Sequence, residues 1–265
     1  ILKAEESRAL QVRTRVWKAH DIAYWQAFGI TKETLDLYNV KPIDYIFFGT
    51  KQNPMKADKY AYVFPEYKDG EKTIKIYQPF SVKFKWLNSH NKSIWQGWEQ
   101  MPLKGDTLII TKSLKDVMAI TTVLKVNSVA LQSESTMPKQ SVMVELQQRF
   151  TTLWLLWDND YDKTVNIGRI LGGKISSSFP IIQIEIPDRY ESKDFSDLIK
   201  NYGDKTYTYI CNYFNINQDK YYFYTNNFFG KINNISNWIS NECNIDYDLP
   251  YKALDEIKNF TPKYI

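Results

Sequence analysis

The sequence predicts an α/β protein: a parallel sheet flanked by helices, preceded by an α+β subdomain and followed by a small helical, aromatic-rich C-terminal segment. Three observations carry that prediction. From Asp106 to about Gly203, strand-like and helix-like runs alternate, the pattern that winds into a parallel sheet. The run Leu153-Trp154-Leu155-Leu156-Trp157 is apolar at every position, as expected of a strand covered on both faces. Upstream of Lys104 the pattern is different, two short helices and then a β-rich stretch.

In chain order, Asp21 to Phe28 reads as a helix closed by Gly29 as its C′ residue. Thr31 then caps a second helix, Lys32 to Tyr38. Tyr60 to Tyr67 and Thr73 to Phe80 are β-rich and flank Lys68-Asp69-Gly70-Glu71, a hairpin signal. In the alternating region the strands are read at Thr107–Thr111, Ser128–Gln132, Thr152–Trp157 and Ile181–Ile186. The helices are Leu114–Lys125, Lys139–Phe150, Thr164–Lys174 and Phe195–Tyr202; Leu114, Val117, Met118, Thr121 and Leu124 share one helical face. Beyond Lys205, aromatic residues and Asn dominate, with short amphipathic helices expected at Ile232–Glu242 and Ala253–Phe260. We therefore divide the chain into residues 1–104, an α+β subdomain; 105–204, a parallel α/β domain; and 205–265, a C-terminal segment of unassigned role.

Composition narrows the chemistry. A hydrophobic share of 43% and a charged share of 24% are those of an ordinary globular protein. Apolar runs are too short to cross a bilayer and Ile1 to Arg15 is no signal peptide, so a cytoplasmic location without membrane contact is expected. The chain opens on Ile1 rather than Met, and we read it as an excerpt of a longer protein. Two cysteines, Cys211 and Cys243, cannot form a four-ligand zinc ribbon, and no zinc is expected within this chain. With only His20 and His90 present, the chemistry falls to carboxylates, lysines and arginines. The net charge of +4 says little by itself, but Lys83, Lys85, Lys104, Lys112 and Lys115 fall together around the richest motifs.

Ligands of open parallel sheets bind beyond the carboxyl ends of the strands. Those ends carry Lys112-Ser113 with Asp116, Ser133-Glu134, Asp158-Asn159-Asp160, and Asp188 followed by Asp194 and Asp197. If the strand persists past Trp157, its period of two sends Asp158 and Asp160 to one side. Two such anions repel unless a cation lies between them, and hard oxygen donors suit Mg²⁺. The alternative is a polar turn in which Asp160 or Asp162 caps the next helix. Ser113-x-x-Asp116 is a capping box, and a helix N-terminus preceded by Lys112 suits phosphate. Asp194 and Asp197 stand equally between capping and metal roles.

Asp106 to Asp197 resembles the TOPRIM domain shared by primases, type IA and II topoisomerases and some nucleases. Leu108-Ile-Ile-Thr-Lys-Ser-Leu-Lys-Asp116 lines up with the family's strand, Glu-Gly pair and Asp; Leu155-Leu-Trp-Asp-Asn-Asp160 is similar to its strand ending in Asp-x-Asp. Gly168 falls near the small residue usual in the next helix, and Lys193-Asp-Phe-Ser-Asp197 resembles the downstream acidic element of primases, whose two Asp are commonly one position closer. Upstream, Trp25 to Val40, Tyr62-Val-Phe-Pro65 and Lys85-Trp-Leu-Asn-Ser89 resemble segments of bacterial DnaG-type primases, and Thr-Lys-Ser-Leu-Lys-Asp with Gln-Ser-Glu resembles their phage relatives. The likeness spans roughly Trp25 to Tyr202.

That resemblance implies a DNA primase catalytic core making short RNA primers on single-stranded DNA from NTPs. It implies Mg²⁺ (or Mn²⁺) on Asp158 and Asp160 with Asp116, Asp194 and Asp197 nearby, and a replicative helicase as partner. Lys83, Lys85, Lys112 and Lys115 would meet nucleotide or nucleic-acid phosphates. The family's first-motif Glu aligns with Lys112, which cannot ligate Mg²⁺ while charged; Glu134 is our candidate for the missing carboxylate, against a surface-loop role. Lys83 and Lys85 also read as charges protecting an edge strand. Two other functions remain on the sequence: a non-catalytic TOPRIM nucleic-acid-binding module, and a TOPRIM nuclease.

Overall fold

The computed structural model describes residues 10–49, 54–89, 91, 93–133 and 136–203. Glu134 and the whole of 205–265, with its two expected helices, lie outside the described residues.

The N-terminal part begins with β1 (Leu10–Thr14), followed by α1 (Ala19–Gln26) and α2 (Lys32–Leu37). The turn between the helices needs Gly29, whose φ is +70° and whose missing side chain lets Val123 and Ile199 close in. Thr31 caps α2 by accepting the Thr34 N–H at 3.3 Å. Then come β2 (Lys41–Phe48), β3 (Met55–Lys56), β4 (Tyr62–Lys68), β5 (Glu71–Tyr77) and β6 (Trp86–Asn88). They form an antiparallel sheet in the order β1-β2-β4-β5-β6, with β3 beside β2. The β4–β5 hairpin turns at Asp69-Gly70, both with positive φ, the conformation a two-residue hairpin loop prefers.

The second sheet is wholly parallel: β10 (Ile182–Ile184), β9 (Phe150–Leu156), β7 (Gly105–Thr111) and β8 (Asn127–Ala130), in that spatial order. Its helices are α3 (Leu114–Val123), α4 (Gln140–Arg149), α5 (Ile167–Ser178) and α6 (Phe195–Tyr202). Period two divides the central strands between two cores, which is why they read as continuously apolar. Leu108, Ile110, Leu153, Leu155 and Trp157 pack towards α4, while Ile109, Trp154 and Leu156 pack towards α3 and α6. The second of these cores continues into the N-terminal part, where Trp25, Phe28 and Leu35 wedge between Tyr62, Phe64 and Tyr77 of the antiparallel sheet and the helices α3 and α6.

The parallel region follows the expected alternation element by element, with shifted ends. The expected start of the third helix at Thr164 is corrected to Ile167, because Asn166 takes the cap by accepting the Arg169 N–H at 2.9 Å. Among the described residues, no helix is long and apolar enough to cross a membrane.

Candidate active site at the carboxyl edge of the parallel sheet

β7 and β9 run side by side, so their carboxyl ends deliver Lys112 and Asp158 to one place. The Lys112 ammonium forms an ion pair with Asp158 Oδ2. From the neighbouring loop, Lys193 reaches the same oxygen at 3.1 Å and Asp160 Oδ1 at 2.7 Å. β9 ends at Leu156, short of the acidic pair, yet Lys193 bridges both carboxylates, so they do face one region. Asp160 also serves the following helix, accepting the Gly168 N–H at 3.0 Å. Burial works to raise Asp160, but the bonds from Lys193 and Gly168 outweigh it and hold the carboxyl below its ordinary range. The other oxygen of Asp158, Oδ1, is buried without a hydrogen-bond partner.

A second acidic group adjoins the first. Ser113 caps α3 by accepting the Asp116 N–H at 3.2 Å, and its hydroxyl donates to Asp116 Oδ2 at 2.6 Å. Asp194 caps α6, accepting the Asp197 N–H at 2.8 Å. The Ser196 hydroxyl sits between Asp116 Oδ1 (2.8 Å) and Asp194 Oδ1 (2.6 Å), joining the two caps. Lys115 completes the group, 3.3 Å from Asp197 and 3.9 Å from Asp194. Complete burial and the nearby Asp194 charge push the Asp116 carboxyl up to about 6. Against its own burial, Asp194 is held low by Lys115 and Lys112. Lys115 is held above its ordinary value, since Asp194, Asp116 and Asp197 outweigh its desolvation. The Lys112 charge acts on Asp116, Asp160 and Asp194 as well as on Asp158, which places it at the electrostatic centre of the site.

Beside these carboxylates lies a cleft of about 480 Å³ between the two sheets, where Tyr24, Phe28, Phe80 and Trp86 face Lys85 and Lys200. Lys112, Lys115 and Lys193 line it from the acidic side. Lys85 thus stands in the cleft. Lys83 is exposed with its ammonium 5.2 Å from the centre of the Phe84 ring, and it is not part of that lining. Trp86 is stacked on Tyr77 (centroids 4.3 Å apart) and 39% exposed, so one face of its ring is covered while part of it stays open to the cleft.

Sequence reasoning brought out the carboxylates and Lys112 but missed Lys193 and Ser196, which tie the site together. Their signal is positional: Lys193 immediately precedes a capping Asp, and Ser196 lies inside the same cap.

No protein-family model matches the sequence, and no curated protein matches it. Solved structures do. The fold is similar to the DnaG primase catalytic domain bound to single-stranded DNA, at 15% identity over 71% of each chain, with a TM-score of 0.51. It is similar to the zinc-binding and RNA polymerase domains of the Aquifex aeolicus primase (14% identity, 92% of this chain and 68% of that one, TM-score 0.54). A DNA primase domain from Pseudomonas aeruginosa gives 13% identity over 92% and 90% of the two chains, with a TM-score of 0.54. The chain shares the fold of DnaG-type primase catalytic domains.

Proposed function

We propose that the chain is a DNA-directed RNA polymerase, the TOPRIM-type catalytic core of a phage-type primase, which makes short RNA primers on single-stranded DNA from NTPs. The observation that carries this reading is the junction of two acidic groups with a basic, aromatic-lined cleft at the carboxyl edge of a DnaG-like parallel sheet. Residues 1–104 would form the nucleic-acid side of that cleft and 105–204 its catalytic side. A replicative helicase is the partner this activity implies, in the cytoplasm (of the host, if phage-encoded).

The donor set suits a divalent ion of the Mg²⁺ or Mn²⁺ kind. Among the described residues no three His, Cys, Asp or Glu converge on one metal position. Such an ion, however, commonly needs only one or two carboxylates besides water and substrate phosphates. Asp158, with its unpartnered buried Oδ1, and Asp160 would hold it, with Asp116, Asp194 and Asp197 adding negative field from the adjoining group. When bound, the ion would polarise the triphosphate and lower the pKa of the attacking hydroxyl. The chain's own residues do the rest. Lys112 and Lys115 would orient phosphate oxygens, and Lys85 would hold template or primer backbone without reading sequence. Glu134, beyond β8, remains our candidate for a further carboxylate at this edge.

The test is RNA synthesis on single-stranded DNA by the wild type beside Asp158→Ala and Asp160→Ala. We expect short RNA from the wild type and losses of roughly a hundredfold or more in each variant, the scale of removing one electrostatic contributor to a transition state. One observation favours a second reading: the lysine-neutralised acidic pair also suits a non-catalytic nucleic-acid-binding module. Retention of DNA with no RNA made by the wild type would establish that module instead, and degradation of the template would point to a nuclease.

A further inference from the structure

Asp158 and Asp160 are almost wholly withdrawn from water, with side chains 1% and 7% exposed. Two buried carboxylates this close demand cations, and here the chain supplies them. Lys112 and Lys193 bring two positive charges to two negative ones, both on Asp158 Oδ2 and one also on Asp160 Oδ1. The ammonium groups thus already neutralise the carboxylates that a divalent ion would use.

We propose that Lys112 and Lys193 are resident counter-cations of the Asp158–Asp160 pair, so that the free protein takes up a divalent ion weakly and does so together with a nucleoside triphosphate. This rests on the polymerase reading of the site and adds how the site is loaded. A divalent ion arriving alone meets two ammonium groups at the oxygens it must bind, and like charges at such distances repel strongly where water is scarce. A triphosphate removes the conflict, because its anionic oxygens offer the lysines new partners of equal charge assistance. The path is open: both lysines already line the cleft, and the Lys193 side chain is 39% exposed. Asp158 Oδ1, buried without a partner, is the oxygen left ready on the other side of the carboxylate. Lys112 is the more buried of the two, its side chain 16% exposed against 39% for Lys193, so Lys193 is the counter-cation that moves first.

The experiment is a titration of the full chain with Mn²⁺, followed by electron paramagnetic resonance, with and without a non-hydrolysable ATP analogue. The proteins are wild type, Lys193→Met, Lys112→Met and Asp158→Asn, each checked by thermal melting. Without nucleotide, Lys193→Met is expected to bind Mn²⁺ about tenfold more tightly than wild type, the factor that corresponds to about 1.4 kcal/mol. Lys112→Met is expected to show the same direction, together with a larger rise in melting temperature on adding Mn²⁺ than wild type shows. Adding the analogue should tighten Mn²⁺ binding by the wild type and narrow its gap to Lys193→Met. The proposal is overturned if Lys193→Met binds Mn²⁺ no more tightly than wild type while Asp158→Asn loses binding; the polymerase site then stands without a lysine gate. If Asp158→Asn binds Mn²⁺ with nucleotide as the wild type does, the site reading fails and the proposal with it.

Discussion

A single methyl group at Gly168 should do more damage to the site than most charge changes around it. Gly168 lies in the first turn of α5, pressed against the end of the strand that delivers the acidic pair. A Cβ built there would lie 2.7 Å from Asp158 Cβ and 2.8 Å from its carbonyl carbon, with the carbonyl oxygen nearer still. These are backbone and near-backbone atoms, which cannot step aside as the end of a long side chain can. Gly168→Ala must therefore displace either the helix start or Asp158, and it strains the 3.0 Å bond from the Gly168 N–H to Asp160. Overpacking of this kind costs about 1–3 kcal/mol. At roughly 2–4 °C per kcal/mol for a protein of this size, the melting temperature should fall by roughly 2–12 °C. RNA synthesis should fall as well, even at temperatures where the variant remains folded. Gly173, in the same helix, is the control: an added Cβ meets only Gln183 Oε1 at 4.0 Å. Gly173→Ala should gain about 0.4–1 kcal/mol from reduced freedom of the unfolded chain and keep its activity. Calorimetry on the two variants, with synthesis measured well below the lower melting point, decides the matter. A Gly168→Ala protein as stable and active as wild type would refute the close approach on which the reasoning depends.

Glu66 is buried within β4, where desolvation pushes its carboxyl up to about 8 although the Gly97 N–H donates to it. The folded protein thus keeps a proton that the unfolded chain releases near 4.5, and stability falls as pH rises through that window, by at most about 1.4 kcal/mol per unit. Its neighbour Lys75, lowered to about 8, adds pH dependence of its own only above that pH, so Glu66→Gln should melt higher than wild type at pH 8 and lose the advantage towards pH 4.5; a gap that does not change with pH would contradict this. Ser196→Ala removes the hydroxyl shared by Asp116 and Asp194 and should cost about 1–3 kcal/mol in urea unfolding at pH 7; no loss would show that the backbone N–H groups of Ser196 and Asp197, which bond the same two oxygens, suffice. Lys85→Ala should lower the salt dependence of single-stranded DNA binding by about one unit of slope in anisotropy titrations, while Lys83→Ala, outside the cleft, should change it less. Equal effects of the two lysines would remove the cleft from the binding path.

The parallel half was legible because its signal is local. Strands buried on both faces are apolar at consecutive positions, and each helix repeats its apolar residues on one side. The hairpin was legible through Asp69-Gly70, which has few other uses between two β-rich runs. The first two strands were not foreseen. β2 divides its partners, pairing with β1 along most of its length, with β3 only at Tyr45 and Ile46 and with β4 only at Lys41 and Pro42, so no single alternation of inward and outward residues marks it. Lys112 and Asp158 were each readable as functional, but their ion pair joins residues 46 positions apart through the register of β7 against β9. Lys193 was hidden for a related reason: what matters is which carboxylates its loop passes, and a sequence shows only that a lysine precedes an aspartate.

The two halves meet through a seam of specific polar bonds as well as through apolar packing, and this bears on how the cleft works. Gln96 and Ala130 exchange backbone bonds of 2.7 and 2.9 Å, tying the segment after the antiparallel sheet to the tip of β8. The buried Lys75 ammonium crosses from β5 to the Gln132 carbonyl at 2.8 Å, and Gln132 returns a bond to Ile94 at 2.7 Å. On the helical side, Tyr38 meets Thr121 at 2.9 Å and Thr34 meets Thr122 at 2.7 Å. Each bond is modest alone, but opening the cleft would break several together and leave buried groups unsatisfied. The walls therefore move less readily than the side chains between them. On the proposed reading, fitting a substrate would be the work of Lys112, Lys115 and Lys193, which would exchange carboxylate partners for phosphate ones while the strand tips hold still. A site built in this way keeps its acidic pair charge-compensated and buried without unfolding around it, because the compensating lysines come from the same strand ends and loop that, on the proposed reading, would grip the nucleotide.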